Sequence, residues 1–201
     1  FRFFDQRIAE AITLSGQLTI RWAEVALNKY LNKVMGTNTD YIIAIDTDSL
    51  YVNMGPMVNK LNPKNPIDFL DKVASEKLEP VLHDAYQELF GLMGGIDNRM
   101  VMKREAIGDR AIWTAKKRYI LNVHDNEGVR YKKPKLKIMG IEAIKSSTPA
   151  PCRQGLKELF KVMMQGNEKE NQKAIEQFRT YFKTLPANDI AFPRGVSNVT
   201  D

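Results

Sequence analysis

The chain has 201 residues, 43% of them hydrophobic and 27% charged, which describes a globular protein with enough apolar material for a core. No apolar run approaches the length of a membrane span, no signal-peptide pattern is present, and the single cysteine, Cys152, excludes an internal disulfide and fits a reducing compartment. The net charge of +6 is uneven: residues 103–137 carry 11 basic and 4 acidic side chains, against 10 and 13 over residues 1–102, as expected where one surface faces phosphates.

Taken in order, residues 4–34 read as a long helix. Phe4, Ile8, Ala11, Ile12, Leu18, Trp22, Val25, Leu31 and Val34 recur at helical spacing, Gly16 is a weak point, and Gly36 begins a turn. The pattern opens in mid-stride, so the chain reads as a fragment of something longer. Five apolar residues at 41–45 then predict a strand buried on both faces, and Leu50, Tyr51 and Val52 a second strand. Asp46-Thr47-Asp48-Ser49 must hold the reversal between them. Two carboxylates in so short a turn repel each other and lose solvation. A shared divalent cation resolves that conflict, and Mg²⁺ commonly takes one or two carboxylates plus substrate phosphates.

Gly55-Pro56 and residues 62–66 read as loop punctuation. Pro66 can open a helix with Asp68 in its first turn, and Phe69, Leu70, Val73, Leu78, Val81, Leu82, Ala85, Tyr86, Leu89 and Phe90 form its apolar stripe as far as the glycines at 91–95. The texture then changes to strands: residues 100–107, a connection at 108–113, a strand over 119–123, and a hairpin turn at Asp125-Asn126-Glu127-Gly128. Ser147-Thr148-Pro149 predicts a hydroxyl-capped helix closed by Gly166, and a further helix spans about 168–184. Residues 186–201 read as irregular. His83 and His124 stand apart, with no zinc spacing.

The acidic hairpin, together with Lys103-Arg104-Glu105-Ala106, Lys116-Lys117-Arg118-Tyr119, residues 135–142 and Ser146-Ser147-Thr148-Pro149, resembles in content and order the family B DNA polymerases of large tailed bacteriophages. Ile45 departs from the family pattern, which usually has glycine before the first aspartate. The resemblance implies an α+β palm subdomain over residues 1–140, its sheet stacked on the helices at 4–34 and 66–91. The beginning of a helical thumb follows at 141–201. It implies addition of deoxynucleotides to a primer end by two-metal phosphoryl transfer in the cytoplasm of a bacterial host, without a membrane partner.

Within that resemblance Asp48 is a direct metal ligand, Asp46 its neighbour, and Glu105 a carboxylate near the same metals on an adjacent strand. From the residues alone Glu105 serves equally as an ion-pair partner for Lys103 or Arg104. The metal is Mg²⁺, two ions in a complete enzyme, with Mn²⁺ a substitute. Lys116, Lys117, Arg118 and Tyr119 match a primer-template contact, and Lys137 and Lys145 match positions near primer phosphates. If those four residues form a strand, Lys117 and Tyr119 share one face and Lys116 and Arg118 the other. The partners implied are primer-template DNA, deoxynucleoside triphosphates, and the remaining polymerase domains: exonuclease, fingers, and the rest of palm and thumb. Alone, the chain is expected to be inactive. The competing readings are a metal-dependent nuclease and a DNA-binding or assembly piece without catalysis.

Overall fold

The computed structural model describes residues 5–195. It is an α+β protein whose chain divides into two compact units at the Ile107–Gly108 peptide bond. The first unit is built on α1 (Gln6–Met35), which runs unbroken through Gly16. Asp5 caps its start by accepting the Arg7 N–H, and Gly36 ends it in the left-handed conformation, where the lack of a Cβ removes the steric cost. The face that packs is Ile20, Ala23, Leu27 and Leu31. Of the stripe read from the sequence only Leu31 is buried, and Ile8, Ile12, Leu18, Val25 and Val34 are exposed. The two stripes lie on different faces because a long helix offers several apolar series and only its second half is covered. Phe4 lies outside the described residues.

The strands β1 (Ile42–Asp46) and β2 (Ser49–Val52) form an antiparallel hairpin. Ile45, Leu50 and Val52 pack on a core of Ala23, Leu27, Ile42, Leu82 and Tyr86, which joins the hairpin to α1 and to the later α4. The hairpin is not buried on both faces as expected. It is a two-stranded sheet, and Ile43 sits at a register break between Ile42 and Ala44, 52% exposed.

Gly55-Pro56, read as loop, instead opens α2 (Gly55–Leu61) with proline in the first turn, and Met57 anchors it in the core. The next helix begins as expected: Asn65 caps α3 (Pro66–Val73) by accepting from Ile67 and Asp68. It does not continue as one regular helix. A π-helical turn, Ala74–Leu78, leads into α4 (Glu79–Leu92). Pro80 explains the break, because proline lacks the N–H that an α-helix would direct to residue 76 and its ring crowds that carbonyl. Leu82, Ala85, Tyr86 and Leu89 are buried as the stripe implied, and burial raises the Tyr86 phenol.

In the second unit β3 (Ala106–Ala115), β4 (Arg118–Asn126) and β5 (Val129–Met139) form an antiparallel sheet in that spatial order. Residues 100–105, expected to start the strands, lie outside any strand, whereas 108–113, expected to be a connection, belong to β3. Gly108 is what the strand needs there, since a Cβ would strike Leu121 and the Asn122 carbonyl. The β4–β5 turn falls at Glu127-Gly128, both with positive φ, the two-residue geometry that suits right-twisted strands. Register changes between Val123↔Lys135 and Asp125↔Arg130, so residues 131–134 of β5 bulge opposite His124, and they include Pro134. Helices α5 (Ala150–Gln165) and α6 (Glu168–Lys183) follow, then a short α7 (Ala187–Ile190) in a stretch read as irregular. Ile120, Ile141 and Met164 are the core under α5. Pro149, without a side-chain hydroxyl bond, stands at the start of α5 in place of the expected hydroxyl cap. No helix among the described residues is long and apolar enough to cross a membrane.

Candidate functional site

The acidic turn is Thr47-Asp48, between the paired ends Asp46 and Ser49. Ile45 and Leu50 point into the core, so strand alternation directs Asp46, Ser49 and Tyr51 to the opposite face. Asp46 is half-buried and accepts a bond from the Thr47 hydroxyl at 3.2 Å, and the Ser49 hydroxyl donates to the Asp46 carbonyl at 3.1 Å. Asp48 is exposed at the tip. Thr47 has φ +53, a left-handed backbone that costs a β-branched residue about 1–3 kcal/mol and is found where surroundings impose it, often at functional turns. The bulge at Ile43 adds a second irregularity within four residues, of the kind used to re-aim side chains.

Two asparagines one turn apart on α1 tie down the incoming strand. Asn28 accepts the Tyr41 N–H at 2.8 Å and donates to the Asp40 carboxylate at 2.8 Å, and that carboxylate also accepts the Ile42 N–H. Asn32 donates to the Thr39 carbonyl and accepts from the Thr39 N–H and the Thr37 hydroxyl. The Asn28 amide, and then the Ile42 N–H, hold the Asp40 carboxyl below the usual carboxylate range. At the far end of the hairpin the Asn53 N–H returns to the Tyr41 carbonyl at 2.7 Å. The position of Asp46 and Asp48 is therefore set from α1.

Glu105 is exposed and stands one residue before β3, in no strand. The adjacent strand expected for it is absent, because β3 belongs to a different sheet from the hairpin. Its neighbour Arg104 is structural: the guanidinium reaches Asp71 at 2.6 Å, and the Arg104 N–H bonds to Glu79 at 3.1 Å. Among the described residues no three acidic, histidine or cysteine side chains gather as a metal site. Asp46 and Asp48 supply hard oxygen donors suited to Mg²⁺ or Mn²⁺, and they amount to the one or two carboxylates that such an ion commonly takes from a protein. They fit part of a metal site.

The basic segment is not an extended strand. Lys116 and Lys117 are the two residues of the β3–β4 turn, and Lys117 has φ +61, so the face alternation expected across Lys116, Lys117, Arg118 and Tyr119 does not apply. Both lysines are exposed, whereas Tyr119 is 5% exposed with its ring 6.0 Å from that of Trp113. Arg118 donates from Nε to the Gly140 carbonyl at 3.0 Å and from Nη2 to Glu142. Lys145 bonds the same carboxylate at 3.0 Å. Lys145, the Glu142 N–H and the charge of Arg118 together hold Glu142 below the usual carboxylate range. Lys137 is half-buried on β5 opposite Leu121. His83 is exposed, and His124 faces Asp109 at 3.3 Å.

Sequence reasoning did not find Asn28, Asn32 or the bracing of the turn by Glu142. The available signal was two asparagines spaced i, i+4 inside a helix, where asparagine is a poor former and needs a reason to stand.

The chain is 40% identical to the DNA-directed DNA polymerase of Escherichia phage RB69 over 99% of its own length, and 38% identical to that of Enterobacteria phage T4 over 95%. It spans about a quarter (24%) of the length of each of these curated relatives. No protein-family model matches the chain. Over nearly all its residues the chain is thus homologous to one segment of the phage DNA-directed DNA polymerases, as the series of motifs implied.

Proposed function

We propose that this chain is the metal-carboxylate part of a family B DNA polymerase, comprising palm over residues 1–140 and the start of thumb over 141–201. The observation that carries the reading is the Asp46-Thr47-Asp48 turn, held in strained backbone by a helix-anchored hairpin, in a chain homologous to polymerases. Asp48 and Asp46 would hold the catalytic Mg²⁺, and Glu105 is the further carboxylate that the family resemblance matches to the same metals. When bound, such ions lower the pKa of a primer hydroxyl and offset charge on the transferring phosphoryl group. The chain's own part is to hold the two carboxylates at the hairpin reversal, aimed away from the core. Lys116 and Lys117 present cations to the phosphate backbone of primer-template DNA. Arg118, Tyr119 and Lys145 meet protein groups and support them, and Lys137 adds positive charge on β5. Triphosphates and the other polymerase domains are the remaining partners, in a host-cell cytoplasm.

Positioning accounts for most of phosphoryl-transfer catalysis, and among the described residues no three metal-ligating side chains gather to complete the set a two-metal site needs. By itself the chain therefore binds DNA weakly and does not synthesise it. The test is primer extension by the purified chain with Mg²⁺ and all four deoxynucleotides, beside an Asp48→Asn control and an equilibrium Mn²⁺ titration. We expect no extension, and weak Mn²⁺ binding that Asp48→Asn abolishes. Extension above the control overturns the inactivity, and Mn²⁺ binding indifferent to Asp48 overturns the site.

A further inference from the structure

The Lys116-Lys117 turn has a shape that its own residues do not favour. Lys117 is left-handed at φ +61 without being glycine, so its surroundings must hold it there. Those surroundings come from the end of β5 and the residues after it. Gly140 also has positive φ (+65), and a Cβ on it would clash with the Lys117 carbonyl oxygen and press on Arg118 Cγ at 3.1 Å. The Gly140 carbonyl in turn accepts Arg118 Nε, and Glu142 takes the other arm of the same guanidinium. The planar fork of arginine suits such a double attachment, which lysine cannot reproduce.

We infer that Gly140 and Glu142 are positioning residues that act through Arg118 to hold the Lys116-Lys117 turn in the shape that meets DNA phosphates. The DNA part of this inference rests on the reading given under Proposed function. It explains why an acidic side chain sits against the basic turn. Glu142 on its own repels phosphate, but as an anchor for Arg118 it reduces the freedom the two lysines lose on binding. The two effects have opposite signs. By charge alone, removing the Glu142 carboxylate strengthens DNA binding; if Glu142 positions the turn, removing it weakens binding.

The experiment uses the 201-residue chain in three variants, Glu142→Gln, Arg118→Lys and Gly140→Ala, with Glu158→Gln as a charge-matched control. Glu158 is an exposed acid on α5, paired to Lys161. Two quantities are read: ¹⁵N order parameters of the Lys116 and Lys117 amides, and affinity for a fluorescent primer-template duplex at several salt concentrations. We expect wild-type turn amides as ordered as β4, and lower order in all three variants while β4 and β5 stay folded. We expect Glu142→Gln and Arg118→Lys to weaken DNA binding about two- to fivefold, the scale of a half-exposed ion pair. Arg118→Lys should leave the salt slope unchanged, and Glu158→Gln should leave affinity unchanged or slightly tighter. Should Gly140→Ala fail to fold, the other two variants carry the test. Turn amides that stay ordered in Glu142→Gln, or a tightening of DNA binding to match Glu158→Gln, overturn the inference. A wild-type chain without affinity for the duplex at low salt refutes the DNA reading instead, and the order parameters still decide whether Gly140 and Glu142 hold the turn.

Discussion

Asn28 ties the acidic hairpin to α1, and replacing it by alanine should loosen that attachment. Its carbonyl oxygen satisfies the Tyr41 N–H, in a part-buried setting next to a tyrosine that is itself buried. Losing that acceptor leaves the donor unsatisfied, at a cost of about 2 kcal/mol. By the relation between free energy and equilibrium constant, local opening should rise roughly 30-fold. The bond to Asp40 is exposed and adds no stability figure of its own, but it sets a pH dependence. A carboxyl held below its unfolded pKa contributes stability that is present above that unfolded value and lost as pH falls through the folded one. The cost of Asn28→Ala should therefore shrink on acidification toward pH 3. Asn28→Asp should behave differently, because it sets two carboxylates together near neutral pH and recovers as one of them is protonated. Amide hydrogen exchange, followed residue by residue, is the assay. Exchange should accelerate at Tyr41, Ile42 and Asn53 and remain slow at Leu82 and Tyr86 in α4. Uniform acceleration through the whole unit, or unchanged exchange at Tyr41, would refute the clamp.

In a complete polymerase carrying this segment, Asp48→Asn should lower the single-turnover rate by several orders of magnitude and leave primer-template affinity nearly unchanged, because a metal ligand acts on charge that develops in the transition state. Rapid-quench rates and duplex affinities of the mutant check both halves. Changing Lys116, Lys117 and Arg118 together to alanine should weaken duplex binding and flatten its salt dependence by about two, one for each lost phosphate contact; a drop near three in a salt titration would show that Arg118 faces phosphate despite Glu142. Leu27→Ala, at a site 2% exposed beneath the hairpin, should cost about 2–5 kcal/mol in urea unfolding.

The sequence was most legible where local chemistry decides the structure. Asp46 to Ser49 had to turn because apolar β-type residues flank them, and Glu127-Gly128 carries the residues that a tight hairpin requires. Pro66 and Gly36 mark helix ends by a fixed backbone angle and by backbone freedom. It was least legible where a distant partner decides. Which face of α1 is covered depends on α4 and the hairpin, so Ile8 and Ile12 look like core in the sequence and are exposed in the structure. Pro80 was absorbed by a π turn within an otherwise consistent apolar stripe, which hid the break. At the site, the acidic turn and the family resemblance pointed to Asp46 and Asp48, and the structure places both at the hairpin reversal. The pairing of Arg118 with Glu142, 24 residues away, left no periodic trace.

The irregular middle of β5 bears on how this protein behaves in quantity. An outer strand with continuous free N–H and C=O groups invites further strands to add, which is how sheets of separate molecules merge into aggregates. Along β5 that invitation is withdrawn. Residues 131–134 leave the regular register, Pro134 offers no N–H, and Lys132, Lys133 and Lys135 place exposed charge along the same edge. Five residues, 135–139, remain in unbroken register beyond the break, less than half of the eleven-residue strand. Replacing those lysines by apolar residues would therefore show first as turbidity and sedimenting material on concentration, before any effect on the binding of a ligand could be read.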